Sequence, residues 1–157
     1  MDDSVKTPVR DLVRSRRTAA LATLHQGAPF VSMVPFAFDC DESAFLIHVS
    51  RLATHTSDML AEPRVSLLIT APEETESSTL ALPRLTVGGV ARAISKEDLF
   101  QERAKELYVK KFPDALPIFD FADFWLFAIA PTSVRWVGGF GKAYTITPEE
   151  FARLMRA

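Results

Sequence analysis

Residues 50–58 form the polar segment of this sequence that is best suited to bind an anion. The segment lies between two apolar runs, 45–49 and 65–69, and each run predicts a buried strand. Residues from Thr54 onward predict a short helix, which Pro63 must end. The start of a helix presents unpaired backbone N–H groups and about half a positive charge, so it stabilises an anion.

The side chains of this segment admit two interpretations. In the first, the hydroxyl groups of Ser50, Thr54 and Thr56 donate to a phosphate, while Arg51 or His55 adds positive charge. In the second, Ser50 or Thr54 only caps the helix, Arg51 is solvated and His55 is an ordinary surface residue. The residues taken alone favour the second interpretation.

Composition limits the classes of fold and function. The 157 residues, 48% of them apolar, predict one folded domain spanning 1–157. A net charge of −2 argues against a nucleic-acid-binding protein, which needs a basic face. No run of about 18 apolar residues is present, so we expect no membrane span, and the polar N-terminus predicts a cytoplasmic protein. The single cysteine, Cys40, excludes an intrachain disulfide and a cysteine-rich metal site.

Turn and helix signals indicate an antiparallel arrangement in the first half of the chain. Thr7-Pro8 predicts the start of a first helix, with Pro in its first position. Residues 18–24 and 30–38 flank a turn and predict a β-hairpin. Residues 80–94 predict a long strand that bends or bulges at Gly88-Gly89.

The second half adds two helices and two strands. Residues 71–78 predict an exposed loop, and 95–111 predict a helix that begins at Ser95. Strands are predicted at 124–130 and 134–137, and a capping box at Thr147 predicts a terminal helix. Because most strands are close neighbours in sequence, a mostly antiparallel barrel of six or seven strands fits better than a Rossmann sheet.

Several segments together resemble a known family of flavoproteins. The order and spacing of these segments resemble the pyridoxamine-phosphate-oxidase-like FMN-binding split barrels, in the branch related to haem-utilisation proteins. The resemblance covers roughly residues 10–145. Its segments are Arg17-Thr-Ala-Ala-Leu-Ala-Thr-Leu, Gly27-x-Pro29, Val31-x-Met33-Val34-Pro35, Ser50-x-Leu52-Ala53-x-His55-Thr56, Ala61-x-Pro63-Arg64-Val65-Ser66-Leu67-Leu68 and Arg135-Trp136-Val137-Gly138-Gly139-Phe140-Gly141-Lys142-Ala143.

This resemblance implies a mainly β fold, a six-stranded antiparallel split β-barrel with peripheral helices. It also implies a homodimer with two FMN sites at the interface, and a flavin phosphate beside residues 50–56. Pyridoxamine-phosphate oxidases proper have an Arg-Lys pair in this turn, where this sequence has Thr54 and His55. The arginine-rich C-terminal substrate motif of those oxidases is not found before Ala157. Pyridoxal phosphate synthesis is therefore not expected.

The resemblance assigns further residues to the flavin. Ser32, Val34, Pro35 and Phe36 would lie beside the flavin ring, although Val34 and Phe36 fit equally well as ordinary core residues. Trp136 would lie in the site too. The alternative is that it belongs to the core.

A glycine-rich segment at 138–142 adds the last candidate, Lys142, which could reach an anion. The alternative for this segment is a bend at the end of the barrel. It is not a phosphate loop of nucleotide hydrolases, because Ala143 replaces the required Ser or Thr.

The other two histidines and the chemical step stay open. His25 lies in the predicted hairpin turn and is expected to be solvated, while His48 in a strand fits an interior polar residue or a ligand. Neither has a metal-like partner four residues away, so no zinc site is expected. The leading function is an FMN-dependent oxidoreductase acting on a small redox substrate. The alternatives are a haem-binding or haem-degrading protein and a non-catalytic dimeric flavin-binding module.

Overall fold

The elements of the chain follow the order expected for an antiparallel barrel. The structure is a computed structural model that describes residues 3–74 and 78–157. Within those residues it contains four helices and eight strands: α1 (Asp3–Ser15), β1 (Thr18–His25), β2 (Ala28–Pro35), β3 (Ala37–Asp39), β4 (Ala44–Ser50), α2 (Thr54–Ala61), β5 (Arg64–Thr70), β6 (Arg84–Ile94), α3 (Gln101–Lys111), β7 (Phe124–Gly139), β8 (Lys142–Ile146) and α4 (Pro148–Arg156). Two short 3-10 helices, Thr79–Ala81 and Pro113–Asp120, lie between them.

All the strands pair antiparallel in one sheet, which confirms the predicted mainly β fold. The order across the sheet is β2-β1-β5-β6-β7-β4-β3, and β8 pairs with the second half of β7. Strands β2 and β3 lie at opposite ends of this order, but a single residue, Phe36, joins them along the chain. That covalent link brings the two ends of the sheet together without pairing them, so the barrel is split between β2 and β3. The described residues contain eight strands, so the expected number of six is too low.

The irregularity predicted at Gly88-Gly89 is present, but its extra residue, Thr132, lies in the partner strand β7. The register between β6 and β7 shifts between Gly88 and Gly89, which is a β-bulge. A Cβ atom on Gly89 would lie 2.7 Å from Cγ2 of Ile129 and 2.8 Å from the carbonyl oxygen of Ala130. The two backbones therefore approach too closely for any other residue. Pro131 pairs at the same bulge, where its missing N–H is tolerated, so 124–130 and 134–137 form one strand rather than two.

Two helices begin at other residues than expected. Helix α1 starts at Asp3, and Pro8 lies inside it, because Val5 packs in the core and extends the apolar stripe by one turn. Helix α3 starts at Gln101 rather than Ser95. The Asp98 carboxylate accepts the backbone N–H of Phe100 at 3.0 Å, and this local turn delays the helix.

The remaining strand boundaries differ in detail. The predicted strand 30–38 is divided at Phe36 into β2 and β3. The Phe36 N–H still donates to the Arg17 carbonyl oxygen at 3.0 Å, in the register of the β1–β2 pairing, whereas Ala37 pairs with Leu46 of β4. Strand β6 begins at Arg84, and strand β8 was not predicted. Residues 75–77 of the predicted 71–78 loop lie outside the described residues.

The barrel contains the main core, and a second core lies on its outer surface. The inner cluster includes Phe36 and Phe45, both fully buried, and Phe151 of α4 stacks on Phe45 with ring centroids 6.1 Å apart. The predicted capping box begins α4, since the Thr147 side chain accepts from the backbone N–H of Glu150. In the outer cluster α3 packs its buried face against β4 and β7. The outer surface of β4 therefore lies beneath α3.

Candidate functional site

The turn between β4 and α2 is stabilised by its own polar groups. Ser50 Oγ accepts from the backbone N–H of Leu52 at 3.1 Å, and Thr56 Oγ1 donates to the Ser50 carbonyl oxygen at 2.6 Å. Thr56 is fully buried, so its hydroxyl proton is used inside the turn. Ala53 is the N-cap residue of α2, and no side chain caps the helix. The interpretation that Ser50 or Thr54 caps α2 is therefore wrong.

His55 joins two of the predicted site residues. Its Nδ1 lies 3.0 Å from Ser32 Oγ, so α2 and β2 meet at this contact. Its Nε2 is buried and has no hydrogen-bond partner among the described residues. Burial lowers the pKa of His55, and the Asp58 carboxylate offsets this only in part. His55 is therefore largely neutral at pH 7, which makes it a weak cation but a usable donor or acceptor.

A buried carboxylate next to His55 was not predicted from the sequence. Asp58 Oδ1 lies 2.7 Å from His25 Nδ1, and Thr23 Oγ1 donates to Asp58 Oδ2 at 2.7 Å. Burial opposes ionisation of Asp58, but the hydrogen bonds from His25 and Thr23 outweigh it and lower the pKa. The chain separates these residues by more than 30 positions, and no sequence pattern links them.

The histidine contacts form neither a catalytic triad nor a metal site. Asp58 pairs with His25, whereas Ser32 pairs with His55, so no single imidazole connects a carboxylate to a hydroxyl. Among the described residues no group of three or more His, Cys, Asp or Glu side chains could hold a metal ion. This network therefore fixes α2 against β1 and β2.

The residues expected beside a flavin ring divide between core and surface. Val34 and Phe36 are buried in the inner cluster, and Pro35 is exposed at the end of β2. Strand β2 pairs only with β1, so its other backbone edge is open next to Ser32. This open edge therefore consists of backbone groups, and the side chains of Val34 and Phe36 lie in the core.

The last two predicted residues lie far from the turn within one chain. Ser50 pairs with Phe124, which lies twelve positions before Trp136 along β7. At about 3.3 Å per residue the separation along the strand is roughly 40 Å. Trp136 is buried, and Lys142 is exposed at the start of β8. The chain therefore brings Ser32, His55 and the turn together, and it leaves Trp136 and Lys142 at the other end of β7.

A cavity of about 360 Å³ adjoins the turn. Arg51 connects the two, because its backbone N–H donates to the Asp123 carbonyl oxygen at 2.6 Å and its guanidinium lies 4.5 Å from the ring centroid of Trp125. Trp125 and Phe124 line the cavity. The other lining residues come from β4, β6, β7, α3 and the segments that flank α3, namely His48, Ala93, Ile94, Ser95, Lys96, Glu97, Gln101, Phe119 and Leu126.

His48 is the polar side chain at the apolar wall of this cavity. Its ring stacks on Phe119, with centroids 3.8 Å apart and planes 6° from parallel, and it also contacts Tyr108 and Phe124. Burial lowers the pKa of His48 to about 4, so the ring is neutral at pH 7. No side-chain hydrogen bond occupies its nitrogens within the described part of the chain. The sequence left open an interior residue or a ligand, and this position fits both.

One outer face of the barrel is apolar and exposed. On β2 the side chains of Val31 and Met33 are 63% and 65% exposed, and across β1 the side chain of Leu68 on β5 is 39% exposed. Ala20 and Ala22 of β1 lie between them in the pairing register. These five residues, which we call the β2 face, form a continuous apolar surface.

The comparison with known proteins decides the family. A model of the CREG β-barrel family matches residues 3–153. The chain belongs to the CREG β-barrel family. This match does not directly confirm the resemblance to pyridoxamine-phosphate-oxidase-like proteins, which stays a prediction.

The related proteins carry names that refer to haem. The chain is 40% identical over 120 residues to the chloroplastic non-canonical haem oxygenase HOZ of Arabidopsis thaliana. The aligned region covers 76% of this chain and 35% of HOZ. The chain is 26% identical over 144 residues to the haem oxygenase HutZ of Vibrio cholerae, covering 90% and 81% of the two chains. A haem-binding protein from Mycobacterium smegmatis superposes with a TM-score of 0.85 at 30% identity over 98% of this chain and 62% of that one. This chain thus spans about a third of HOZ and less than two thirds of the mycobacterial protein. No helix among the described residues is both long and apolar enough to span a membrane.

Proposed function

We propose that this chain binds haem in the cavity beside His48 and takes part in haem use or degradation. The observation that carries the proposal is a neutral imidazole without a side-chain hydrogen bond at the wall of an aromatic cavity. The haem-related names of HOZ, HutZ and the mycobacterial protein support the ligand class. They favour haem over the flavin that the sequence pattern placed first.

The residues of the cavity fit the chemistry of haem. A neutral histidine nitrogen is a common axial ligand of haem iron, and the low pKa of His48 keeps its nitrogen free of a competing proton. Phe119 and Phe124 supply apolar walls for a macrocycle. The lining also includes the Lys96 ammonium, which can pair with a haem carboxylate, and the Glu97 carboxylate, which would repel one. Bound haem would supply iron redox chemistry, while the protein binds and orients it and excludes water.

The size of the cavity favours a site shared between two copies. A volume of about 360 Å³ lies at the lower end for ligand pockets, so a tetrapyrrole would extend beyond this chain. A homodimer formed through the β2 face would cover exposed Val31, Met33 and Leu68. The Met33→Lys variant should be monomeric in light scattering after size exclusion, whereas the Leu99→Lys variant changes a fully exposed residue elsewhere and should remain a dimer. A monomeric unmodified chain would remove this part of the proposal.

The haem proposal is tested by haemin titration. The unmodified chain should develop a saturable Soret band with one haem per chain, and the His48→Ala variant should lose it or show a shifted band. The matched control is His25→Ala, which removes a half-exposed histidine from the hairpin and should retain the band. Thermal unfolding of both variants checks that they fold. An identical Soret spectrum and affinity in His48→Ala would exclude His48, and no uptake by any chain would exclude haem. Degradation is measured as decay of the bound Soret band after an electron donor is added.

FMN at the β4–α2 turn is the second candidate, and His55 is the observation that favours it. The first turn of α2 has no side-chain cap, and the buried Nε2 of His55 has no partner among the described residues. Ser50, Thr54 and the backbone of α2 would hold the phosphate, and a second copy would contribute the exposed Lys142, whereas Trp136 belongs to the core of its own chain. The His55→Ala variant should weaken FMN binding measurably, and an unchanged dissociation constant would remove His55. An FMN-dependent oxidoreductase with a small redox substrate, a non-catalytic module and a cytoplasmic location stay predictions.

A further inference from the structure

A second cavity, of about 250 Å³, lies where α1, β3, α3 and α4 meet. It shares no lining residue with the cavity beside His48. We call it the basic cavity, and its lining consists of Val13, Arg14, Ala37, Phe38, Cys40, Leu107, Lys110, Lys111 and Met155.

The lining of the basic cavity is divided between apolar and cationic groups. Phe38 of β3 and Leu107 of α3 are partly exposed and supply the apolar floor, whereas Val13 and Met155 are fully buried at this place. Arg14, Lys110 and Lys111 supply three cations, and the described lining residues include no carboxylate. A ligand that complements this surface has an apolar body and a negative charge.

Lys111 is the cation most deeply placed at this site. Its Nζ donates to the Arg16 carbonyl oxygen at 2.6 Å and lies 4.3 Å from the ring centroid of Phe36. The Arg17 guanidinium stacks on Phe112 nearby, and Arg16 Nε is buried without a hydrogen-bond partner among the described residues. Burial, followed by repulsion from Arg17, lowers the pKa of Lys111 to about 8. Positive charge is therefore concentrated here without a compensating carboxylate in the lining.

Helix dipoles explain part of this arrangement but not all of it. Lys110 and Lys111 lie in the last turn of α3, where cations are favourable, and Arg14 lies in the last turn of α1. That effect stabilises each cation separately. It does not require the cations to surround an apolar floor, and it does not require Lys111 to be half-buried.

We infer that the basic cavity binds a small amphipathic monocarboxylate, with the carboxylate at Lys111 and Arg14 and the hydrocarbon body on Phe38 and Leu107. A carboxylate accepts charge-assisted hydrogen bonds from both cations. The volume of the cavity is below the usual range for drug-sized ligands, so it selects a short aliphatic or single-ring acid.

Calorimetric titration of the unmodified chain with octanoate tests this inference. Acetate has the charge without the hydrocarbon body, and 1-octanol has the body without the charge, so octanoate should bind at least tenfold more tightly than either. Octanol binding that equals octanoate binding would overturn the role of the cations.

Variants of one helix locate the site. The Lys111→Gln variant should bind octanoate about tenfold more weakly, since it loses a charge-assisted hydrogen bond. The Lys111→Arg variant should recover most of the affinity. The matched control, Lys105→Gln, removes a cation of α3 outside the cavity lining and should bind normally. Equal affinity of Lys111→Gln and the unmodified chain would overturn the inference.

Proton uptake gives an independent signature. The bound carboxylate favours charged Lys111, so binding at pH 8 should take up about half a proton, visible as different heats in Tris and phosphate buffers. The titratable or charged groups around Lys111 are Arg14, Arg16, Arg17, Lys110 and Cys40. Heats that do not depend on the buffer would contradict a carboxylate at Lys111. Failure of haem binding leaves this result unaffected, because the two cavities are separate.

Discussion

Protonation of His48 should destabilise the folded chain in acid. The His48 pKa falls from 6.5 to about 4 on folding, because burial against Phe119 penalises the charged ring. The folded state therefore binds this proton about 300-fold more weakly than the unfolded state, which corresponds to about 3 kcal/mol. Below pH 6.5 the unfolded state binds more protons at His48 than the folded state does. The contribution of His48 to the free energy of unfolding is therefore fully present above pH 6.5 and is lost as the pH falls towards 4.

Urea unfolding at pH 7 and at pH 4.5 measures this loss. The unmodified chain and the His48→Gln variant share every other titrating group, so the difference between their pH responses isolates His48. The unmodified chain should lose about 2 kcal/mol more than the variant between the two pH values. A second variant, His48→Phe, keeps a ring against Phe119 and should match His48→Gln in its pH response. Equal losses in all three proteins would refute a buried, neutral His48.

Two further changes test the packing that holds the site. The Asp58→Asn variant removes the charged partner of His25 and should lower the free energy of unfolding by about 2 kcal/mol at pH 7, measured in urea. The pKa of Asp58 is lowered on folding, so its carboxylate stabilises the folded state fully above pH 3.8 and less at lower pH. The difference between the variant and the unmodified chain should therefore shrink below pH 3.8, and a constant difference would contradict this role of the carboxylate. The Gly89→Ala variant should cost about 2 kcal/mol, because the new methyl group meets Ile129 and the carbonyl oxygen of Ala130; an unchanged urea midpoint would exclude this close approach.

Local signals in the sequence predicted local structure well. The paired glycines at 88–89 predicted the bulge, and the capping box at Thr147 predicted α4. The sequence could not show that Pro131 lies opposite that bulge, where a residue without an N–H is tolerated inside one continuous strand. The predicted start of α3 at Ser95 was wrong, because the helix begins at Gln101. Ser95 resembles a cap, but the Asp98 carboxylate binds the backbone N–H of Phe100 in a turn.

The site was less predictable, because its contacts cross the barrel. The polar turn at 50–56 could be identified from the sequence, but the bond between His55 and Ser32 depends on β2 and α2 meeting in space. The neutral state of His48 depends on Phe119, which lies 71 positions later in the chain. Residue types in the sequence can indicate such groups, but their burial, and with it their pKa and their chemistry, is determined by packing.

The length of β7 connects the ligand question to the oligomer question. Ser50 pairs with the first residue of β7, while Trp136 and Lys142 lie beyond its bulge, roughly 40 Å along the strand. One cofactor cannot contact both ends within a single chain. If Lys142 serves the FMN site, it must come from a second copy, so a monomeric Met33→Lys variant should lose FMN binding together with dimerisation. Haem held mainly by His48 should retain part of its affinity in the same monomer, and this contrast distinguishes the two candidate functions.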